Sequence, residues 1–108
     1  MQYKQITELL KRFGLPCAYY TFPKGTAMPG PYFVFYFPEN DDVFADNKNY
    51  QTIVQMRIEL YADNKDFDLE KRFETFLGEH FAFSKDEMWI EDEHQIMTVY
   101  EMEVVING

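Results

Sequence analysis

The sequence is poor in the residues that build disulfides, metal sites and cationic surfaces. It has one cysteine, two histidines and ten lysine or arginine residues in 108 positions, against 19 aspartate and glutamate residues. A single cysteine excludes an internal disulfide. The net charge of −9 disfavours nucleic-acid binding, which needs a cationic surface to displace counterions. The acidic balance therefore indicates a protein that repels DNA or that binds a basic partner.

Long apolar runs and targeting signals are also missing. The longest apolar run, from Tyr32 to Phe37, has the length of a strand and falls well short of the ~20 residues of a membrane span. The first residues lack the apolar segment of a secretory signal peptide. We therefore expect no membrane association and folding in a reducing cytoplasm, with Cys17 packed as a small apolar residue.

No set of residues has the spacing of a known catalytic or cofactor motif. The glycines form no phosphate-binding loop, and neither His80 nor His94 has a second ligand at the spacing of a transition-metal site. The acidic segments 39–42 and 63–66 lack the glycine and the residue order of a calcium loop. The acidic run 91–93 has no nucleophile or oxyanion donor nearby in the sequence. The sequence thus predicts a protein without enzymatic activity, cofactor or metal.

Aromatic residues, by contrast, are abundant. Eleven Phe, eight Tyr and one Trp make up 19% of the chain. Such residues are enriched in sheets and in protein interfaces. At 108 residues the chain has the length of one domain, and no repeat or linker divides it. We therefore expect a single domain covering residues 1–108.

Apolar residues at helical spacing predict two amphipathic helices. The first has about three turns and ends at Gly14, which supplies a helix stop. The second runs from about Phe67 to His80, with Asp66 as its N-cap. On the outer side of the second helix, Asp68 and Arg72 have the spacing of an ion pair.

Five strands are predicted between and after these helices. Their bounds are 17–22, 32–37, 53–61, 88–90 and 95–106, and an acidic turn at 91–94 joins the last two. The third strand alternates apolar and polar residues, which is typical of a half-buried antiparallel strand. The element order α-β-β-β-α-β-β predicts an α+β fold, with a mainly antiparallel sheet and two helices packed on it.

The segment from Pro38 to Gln51 is rich in turn-forming and acidic residues. A segment of this length without regular structure is uncommon in a compact domain and tends to be functional. Two interpretations remain open: a solvated hairpin tip, or an arm whose aromatic residues dock on a partner. On the second interpretation, the candidate protein-interface residues are Asp41, Asp42, Phe44, Asp46 and Tyr50.

Four short segments carry a resemblance to a known family. They read LPCAYY at 15–20, PYFV at 31–34, FADN at 44–47 and ELY at 59–61. These segments resemble those of the small tail-completion proteins, also called head–tail joining proteins, of long-tailed phages and prophages. The resemblance extends from about Leu10 to Ile106 and consists of aromatic and turn patterns.

The resemblance implies a tail-terminator-like fold and a structural role. Members of the family assemble as a ring, typically a hexamer, which closes the end of the tail tube, and DNA passes through the ring. The implied partners are further copies of the chain, the tail tube protein and the head connector protein, with DNA only in non-specific passage. The implied location is the host cytoplasm during assembly and then the virion, at the head–tail junction. By the same resemblance, segment 38–51 corresponds to an extended loop that contacts neighbours.

An acidic DNA mimic is the alternative function. Such an inhibitor binds a DNA-processing protein through carboxylates that are spaced like phosphates. Lys and Arg residues interrupt the acids throughout this sequence, which disfavours the alternative. A third hypothesis is an enzyme or small-ligand domain with an aromatic pocket.

Overall fold

The structure, a computed structural model, describes residues 1–23, 29–38 and 51–107. These residues form two α-helices and five strands, and one 3-10 turn lies at 91–93. The elements are α1 (Tyr3–Lys11), β1 (Cys17–Tyr19), β2 (Tyr32–Tyr36), β3 (Gln51–Ala62), α2 (Phe67–Gly78), β4 (Phe83–Ile90) and β5 (Gln95–Asn107). Their order confirms the α+β fold predicted from the sequence.

The five strands form one sheet in the order β1-β2-β3-β5-β4. β1 runs parallel to β2, and every other neighbouring pair is antiparallel. β3 and β5 are the longest strands, and they pair along their whole length, from Gln51 opposite Asn107 to Ala62 opposite Ile96. β1 and β4 are therefore the two edge strands of the sheet.

Both helices contribute to one hydrophobic core on a single face of the sheet. Alternation along a strand sends successive side chains to opposite faces. The even-numbered residues from 54 to 60 in β3 and from 98 to 106 in β5 face the helices and are buried. Phe73 of α2 is fully buried in this core, and its ring lies 4.8 Å from that of Phe13, 5.1 Å from Phe33 and 5.5 Å from Tyr100. α2 is thus fixed to the middle of the sheet through its aromatic side.

The helix ends follow the capping residues that the sequence supplies. Asp66 accepts a hydrogen bond from the backbone N–H of Leu69 over 3.0 Å, so the predicted N-cap is confirmed. At the end of the first helix, Gly14 has a φ of 99°, a left-handed conformation that costs a glycine little. α2 ends at Gly78, two residues before the predicted end at His80.

Three details of the sequence-based prediction are wrong. β1 ends at Tyr19, three residues before the predicted end at Phe22, and the next residue, Tyr20, has a left-handed φ of 69° that does not continue a strand. β4 begins at Phe83, five residues before the predicted start at Met88. The intervening residues are mostly polar, and they remain in the sheet because their backbone pairs with β5. The predicted ion pair of α2 does not form between Asp68 and Arg72. The guanidinium of Arg72 lies over the ring of Phe13 instead, 5.9 Å from its centroid.

Candidate interaction surface

One face of the sheet points away from both described helices. We call it the open face, and it comprises the side chains of β2 to β5 that alternate with those of the core. Its members are Tyr32, Val34, Tyr36, Ile53, Gln55, Arg57, Glu59, Tyr61, Ser84, Asp86, Met88, Ile90, Gln95, Met97, Val99, Glu101, Glu103 and Val105. Neither described helix covers the open face.

The middle of the open face is buried by its own neighbours. Val34, Met97 and Val99 are exposed by only 5%, 6% and 3%. Glu59 lies directly opposite both Val34 and Val99, and Tyr61 lies opposite Met97. Larger polar and aromatic side chains therefore shield the aliphatic ones, so the middle of β2 is covered on both faces.

A carboxylate with three donors organises this part of the open face. Glu59 Oε2 accepts a hydrogen bond from the Tyr36 hydroxyl over 2.9 Å and from Arg57 Nε over 2.8 Å. Glu59 Oε1 accepts from the Tyr61 hydroxyl over 2.8 Å. Partial burial and the hydrogen bond to Glu59 raise the pKa of Tyr61, which keeps its hydroxyl protonated as a donor. The cluster fixes two tyrosines and one arginine in place.

Tyrosines form a continuous surface around this carboxylate. Tyr32 stacks on Tyr61 with 5.0 Å between ring centroids, and Tyr20 packs on Tyr36 at 4.8 Å. Tyr20 itself is 64% exposed. We call Tyr20, Tyr32, Tyr36 and Tyr61 the tyrosine patch. Tyrosine joins a large apolar ring to a polar hydroxyl, and it is enriched at protein interfaces for that reason.

The opposite end of β3 carries an aliphatic patch. Ile53 and Val105 lie directly opposite each other, and they are 48% and 42% exposed. In the next rows along β3, Gln55 faces Glu103 and Arg57 faces Glu101. The open face thus has tyrosines toward one end, exposed aliphatic residues toward the other, and charged residues between them.

On the helix side, a charged cluster ties β4 to α2. The buried carboxylate of Glu70 accepts from Lys65 Nζ over 2.8 Å and from Lys85 Nζ over 3.1 Å. Glu74 Oε2 accepts from Lys85 Nζ over 2.7 Å and from the Tyr100 hydroxyl over 2.8 Å. Partial burial opposes the effect, but the hydrogen bonds from Lys85 and Tyr100 lower the pKa of Glu74. These charges neutralise one another, and they hold the edge strand against the helix.

A groove of about 530 Å³ lies beside this cluster, and its lining includes Lys65, Phe67, Glu70 and Lys85. Apart from Lys71, the charged groups that line it are already engaged in the ion pairs described above. Sequence reasoning missed the cluster because its members come from three separate elements and no local pattern joins them. Only the tertiary packing of α2 on β4 and β5 brings them together.

The groups with potential for chemistry are dispersed. Among the residues that the structure describes, no group of three or more His, Cys, Asp and Glu side chains is placed to hold a metal ion. Cys17 is partly buried against the core, and this burial raises the pKa of its thiol, which disfavours the nucleophilic thiolate. His80 lies against Phe76 and Phe81, and His94 lies against Trp89.

The predicted interface residues Asp41, Asp42, Phe44, Asp46 and Tyr50 lie outside the described residues. Their role therefore stays a prediction. The described surface adds candidates that sequence reasoning did not single out, chiefly Tyr20 and the pair Ile53 and Val105. In the sequence, this pair could have been found as apolar residues at the positions of β3 and β5 whose side chains point away from the core.

Neither described helix is long and apolar enough to cross a membrane. No protein-family model matches the chain, and no curated protein matches it either. The α+β fold therefore rests on the structure, and the resemblance to tail-completion proteins stays a prediction.

Proposed function

We propose that this chain is a structural protein that completes the tail of a long-tailed phage or prophage and joins it to the head. In this proposal it acts without catalysis, and its partners are further copies of itself, the tail tube protein and the head connector protein. One observation carries the proposal. In the part of the chain that the structure describes, helices cover the sheet on one face only, and two different patches lie on or beside the open face: the tyrosine patch and the exposed aliphatic patch.

Two different patches suit assembly into a ring. A closed ring larger than a dimer needs a heterologous contact, in which one surface of a subunit meets a different surface of the next. The tyrosine patch lies toward the end of β3 at Tyr61, and the aliphatic patch lies near its beginning at Ile53. One subunit therefore has two separate apolar surfaces to offer to two neighbours, as a ring of the hexameric type requires.

The charge of the chain fits the passage of DNA. A cationic wall would bind phosphates and hold DNA in place. The chain has a net charge of −9, and Glu101 and Glu103 add carboxylates to the open face. An acidic ring repels the phosphate backbone, so that DNA slides through without sticking. The ring forms in the host cytoplasm during assembly and then belongs to the virion.

The pairing of charges on the helix side disfavours the acidic DNA mimic. A mimic needs unpaired carboxylates that are spaced along one surface. Here Lys65 and Lys85 engage Glu70, Glu74 and Glu87 in ion pairs. A basic groove on a DNA-processing protein would have to compete with these lysines for the same carboxylates.

Deletion of the gene tests the proposed function. In a phage or prophage that carries this gene, we expect the lysate to contain full heads beside unattached tails in the electron microscope. Supplying the intact protein from a plasmid should restore complete virions. Normal virions in the deletion lysate would contradict a joining role.

Complementation with variants tests whether the open face takes part in joining the tail to the head. Ile53→Asp places a charge in the aliphatic patch, and we expect folded protein that fails to restore joining. Phe67→Asp is the matched control, because Phe67 is 75% exposed and lies at the start of α2, away from the open face. Equal loss of joining in both variants would show that the open face has no special role.

A further inference from the structure

β4 presents a long, exposed strand edge. It has eight residues, and among the described strands only β5 pairs with it. The residues from Ser84 to Trp89 are all exposed. An unpaired edge offers backbone N–H and C=O groups to another strand, and most proteins protect such edges with short strands, bulges or charges.

A hydrogen bond identifies which backbone groups face outward. The backbone N–H of Glu87 donates to its neighbour Asp86 Oδ1 over 2.8 Å, so this N–H points away from β5. In an antiparallel pair, residues alternate between those that bond to the partner strand and those that do not. The outward-bonding residues of β4 are therefore Phe83, Lys85, Glu87 and Trp89.

Two of the three charged side chains of β4 do not protect this edge against pairing, because they are engaged elsewhere. Lys85 is held by Glu70 and Glu74 of α2, and Glu87 is held by Lys65. Both side chains are drawn toward the helix side of the sheet. Asp86, on the open face, is the charge that remains beside the outward backbone groups.

We propose that a second copy of this chain pairs with β4 in antiparallel fashion, with Asp86 facing Asp86 of the second copy across a two-fold axis. In this register, outward-bonding residues meet outward-bonding residues. Lys85 then lies opposite Glu87 of the second copy, and Glu87 opposite its Lys85. Phe83 lies opposite Trp89 of the second copy, which forms a cross-strand aromatic pair on each side.

Charge complementarity selects this register over its neighbours. A two-residue shift in one direction places Glu87 opposite Glu87 of the second copy, and a shift in the other places Lys85 opposite Lys85. Like charges that lie directly opposite destabilise a strand pair. The proposed register also has one such contact, between the two Asp86 side chains at the axis, but of the three registers it alone places each Lys85 opposite a Glu87. That contact keeps the dimer weak, so it forms only at high protein concentration.

This inference does not rest on the proposed function, because it concerns one strand edge of the isolated protein. The contacts proposed for the ring use the two patches of the open face. A failure of β4 pairing would leave the tail-completion proposal untouched, and the reverse also holds.

Trp89 provides a local reporter of the pairing. It is the single tryptophan of the chain, it is 50% exposed, and it lies on β4 itself. We expect its fluorescence emission to shift to shorter wavelength as protein concentration rises, in parallel with dimer formation in analytical ultracentrifugation. A wild-type chain that stays monomeric with unchanged emission up to millimolar concentration would overturn the proposal.

Asp86→Asn separates charge from hydrogen bonding, because the amide oxygen of Asn can still accept from the N–H of Glu87. Removal of the repulsion at the axis should lower the concentration at the dimer midpoint about two- to five-fold. The matched control is Asp68→Asn, which makes the same charge change at an exposed position of α2. An equal shift in both variants would reduce the effect to net charge and overturn the assigned register.

Cross-linking tests the two-fold axis directly. Residues at the axis form a non-hydrogen-bonded pair with Cα atoms about 4.5 Å apart, within the range of a disulfide. In a Cys17→Ala background, we expect Asp86→Cys to form a disulfide-linked dimer on mild oxidation. Ser84→Cys should not, because Ser84 lies opposite Met88 of the second copy. Faster cross-linking by the Ser84 variant would contradict the register.

Discussion

The hydroxyl of Tyr100 donates a hydrogen bond to Glu74 Oε2 over 2.8 Å, and the same oxygen accepts from Lys85 Nζ over 2.7 Å. This contact joins three elements at one carboxylate: β5 through Tyr100, α2 through Glu74 and β4 through Lys85. Tyr100 is fully buried, and burial together with its bond to Glu74 raises the pKa of the phenol. The hydroxyl therefore stays protonated as a donor, and its bond to Glu74 anchors α2 to the sheet.

Removal of this hydroxyl should weaken the fold by a modest amount. We expect Tyr100→Phe to lower the free energy of unfolding by about 1 kcal/mol, because the ring still fills its site while one hydrogen bond is lost. Urea denaturation followed by circular dichroism measures the change. Tyr3→Phe is the control, since Tyr3 is 46% exposed, and it should leave the stability unchanged. Equal effects in the two variants would show that the Tyr100 hydroxyl adds nothing.

The lowered pKa of Glu74 predicts that the folded protein loses stability in acid. Its folded-state pKa lies below the ordinary value of 4.5, so the unfolded chain binds its proton more tightly. The stabilisation is present above the unfolded value and is lost as the pH falls through the folded pKa. We expect the wild type to lose more stability than Glu74→Gln between about pH 6 and pH 3. Parallel stability profiles for the two proteins would contradict this assignment.

Truncation of two phenylalanines of α2 should change the stability by very different amounts. Phe73 is fully buried among aromatic rings, whereas Phe67 is 75% exposed at the start of the same helix. We expect Phe73→Ala to cost about 3–5 kcal/mol through lost burial and a residual cavity. Phe67→Ala should stay within about 0.5 kcal/mol of the wild type. Thermal and chemical denaturation of both variants make the comparison.

The hydrogen bond between Tyr61 and Glu59 predicts that a substitution of Glu59 changes the pKa of Tyr61. Partial burial and the hydrogen bond to Glu59 raise the pKa of Tyr61. We expect Glu59→Ala to lower that pKa, while burial keeps part of the shift, and to cost about 1–2 kcal/mol of stability. Ultraviolet titration of the phenols and urea denaturation test the two effects. Glu103→Ala, an exposed change on the same face, should alter neither.

Local patterns in the sequence predicted most of the elements for identifiable reasons. Asp66 marks the start of α2 because its side chain caps the helix, and Gly14 marks the end of the first helical segment because it tolerates a left-handed conformation. β4 was shortened in the prediction because residues 84–87 are polar and show no apolar alternation. Its extent is set by backbone pairing with β5, and such pairing does not require a pattern of apolar side chains.

The candidate surfaces were harder to predict than the elements. Ile53 and Val105 lie directly opposite each other in the sheet but are far apart in the sequence. Either residue alone is an ordinary apolar position in a strand. They become an exposed patch only because the sheet pairs them and because the helices pack on its other face.

By itself, the sequence determined the alternation of the strands, the helix caps, the acidic charge and the α+β order, because each depends on neighbouring residues. The tertiary structure alone decided which charges are paired and which strand edge is open. Lys85, Glu87 and Asp86 are adjacent in the chain, yet the first two are drawn to the helix side while Asp86 bonds to the outward amide. The physical reason is that their partners come from α2 and from the segment before it. Packing on the sheet, rather than chain proximity, brings those groups within hydrogen-bonding distance.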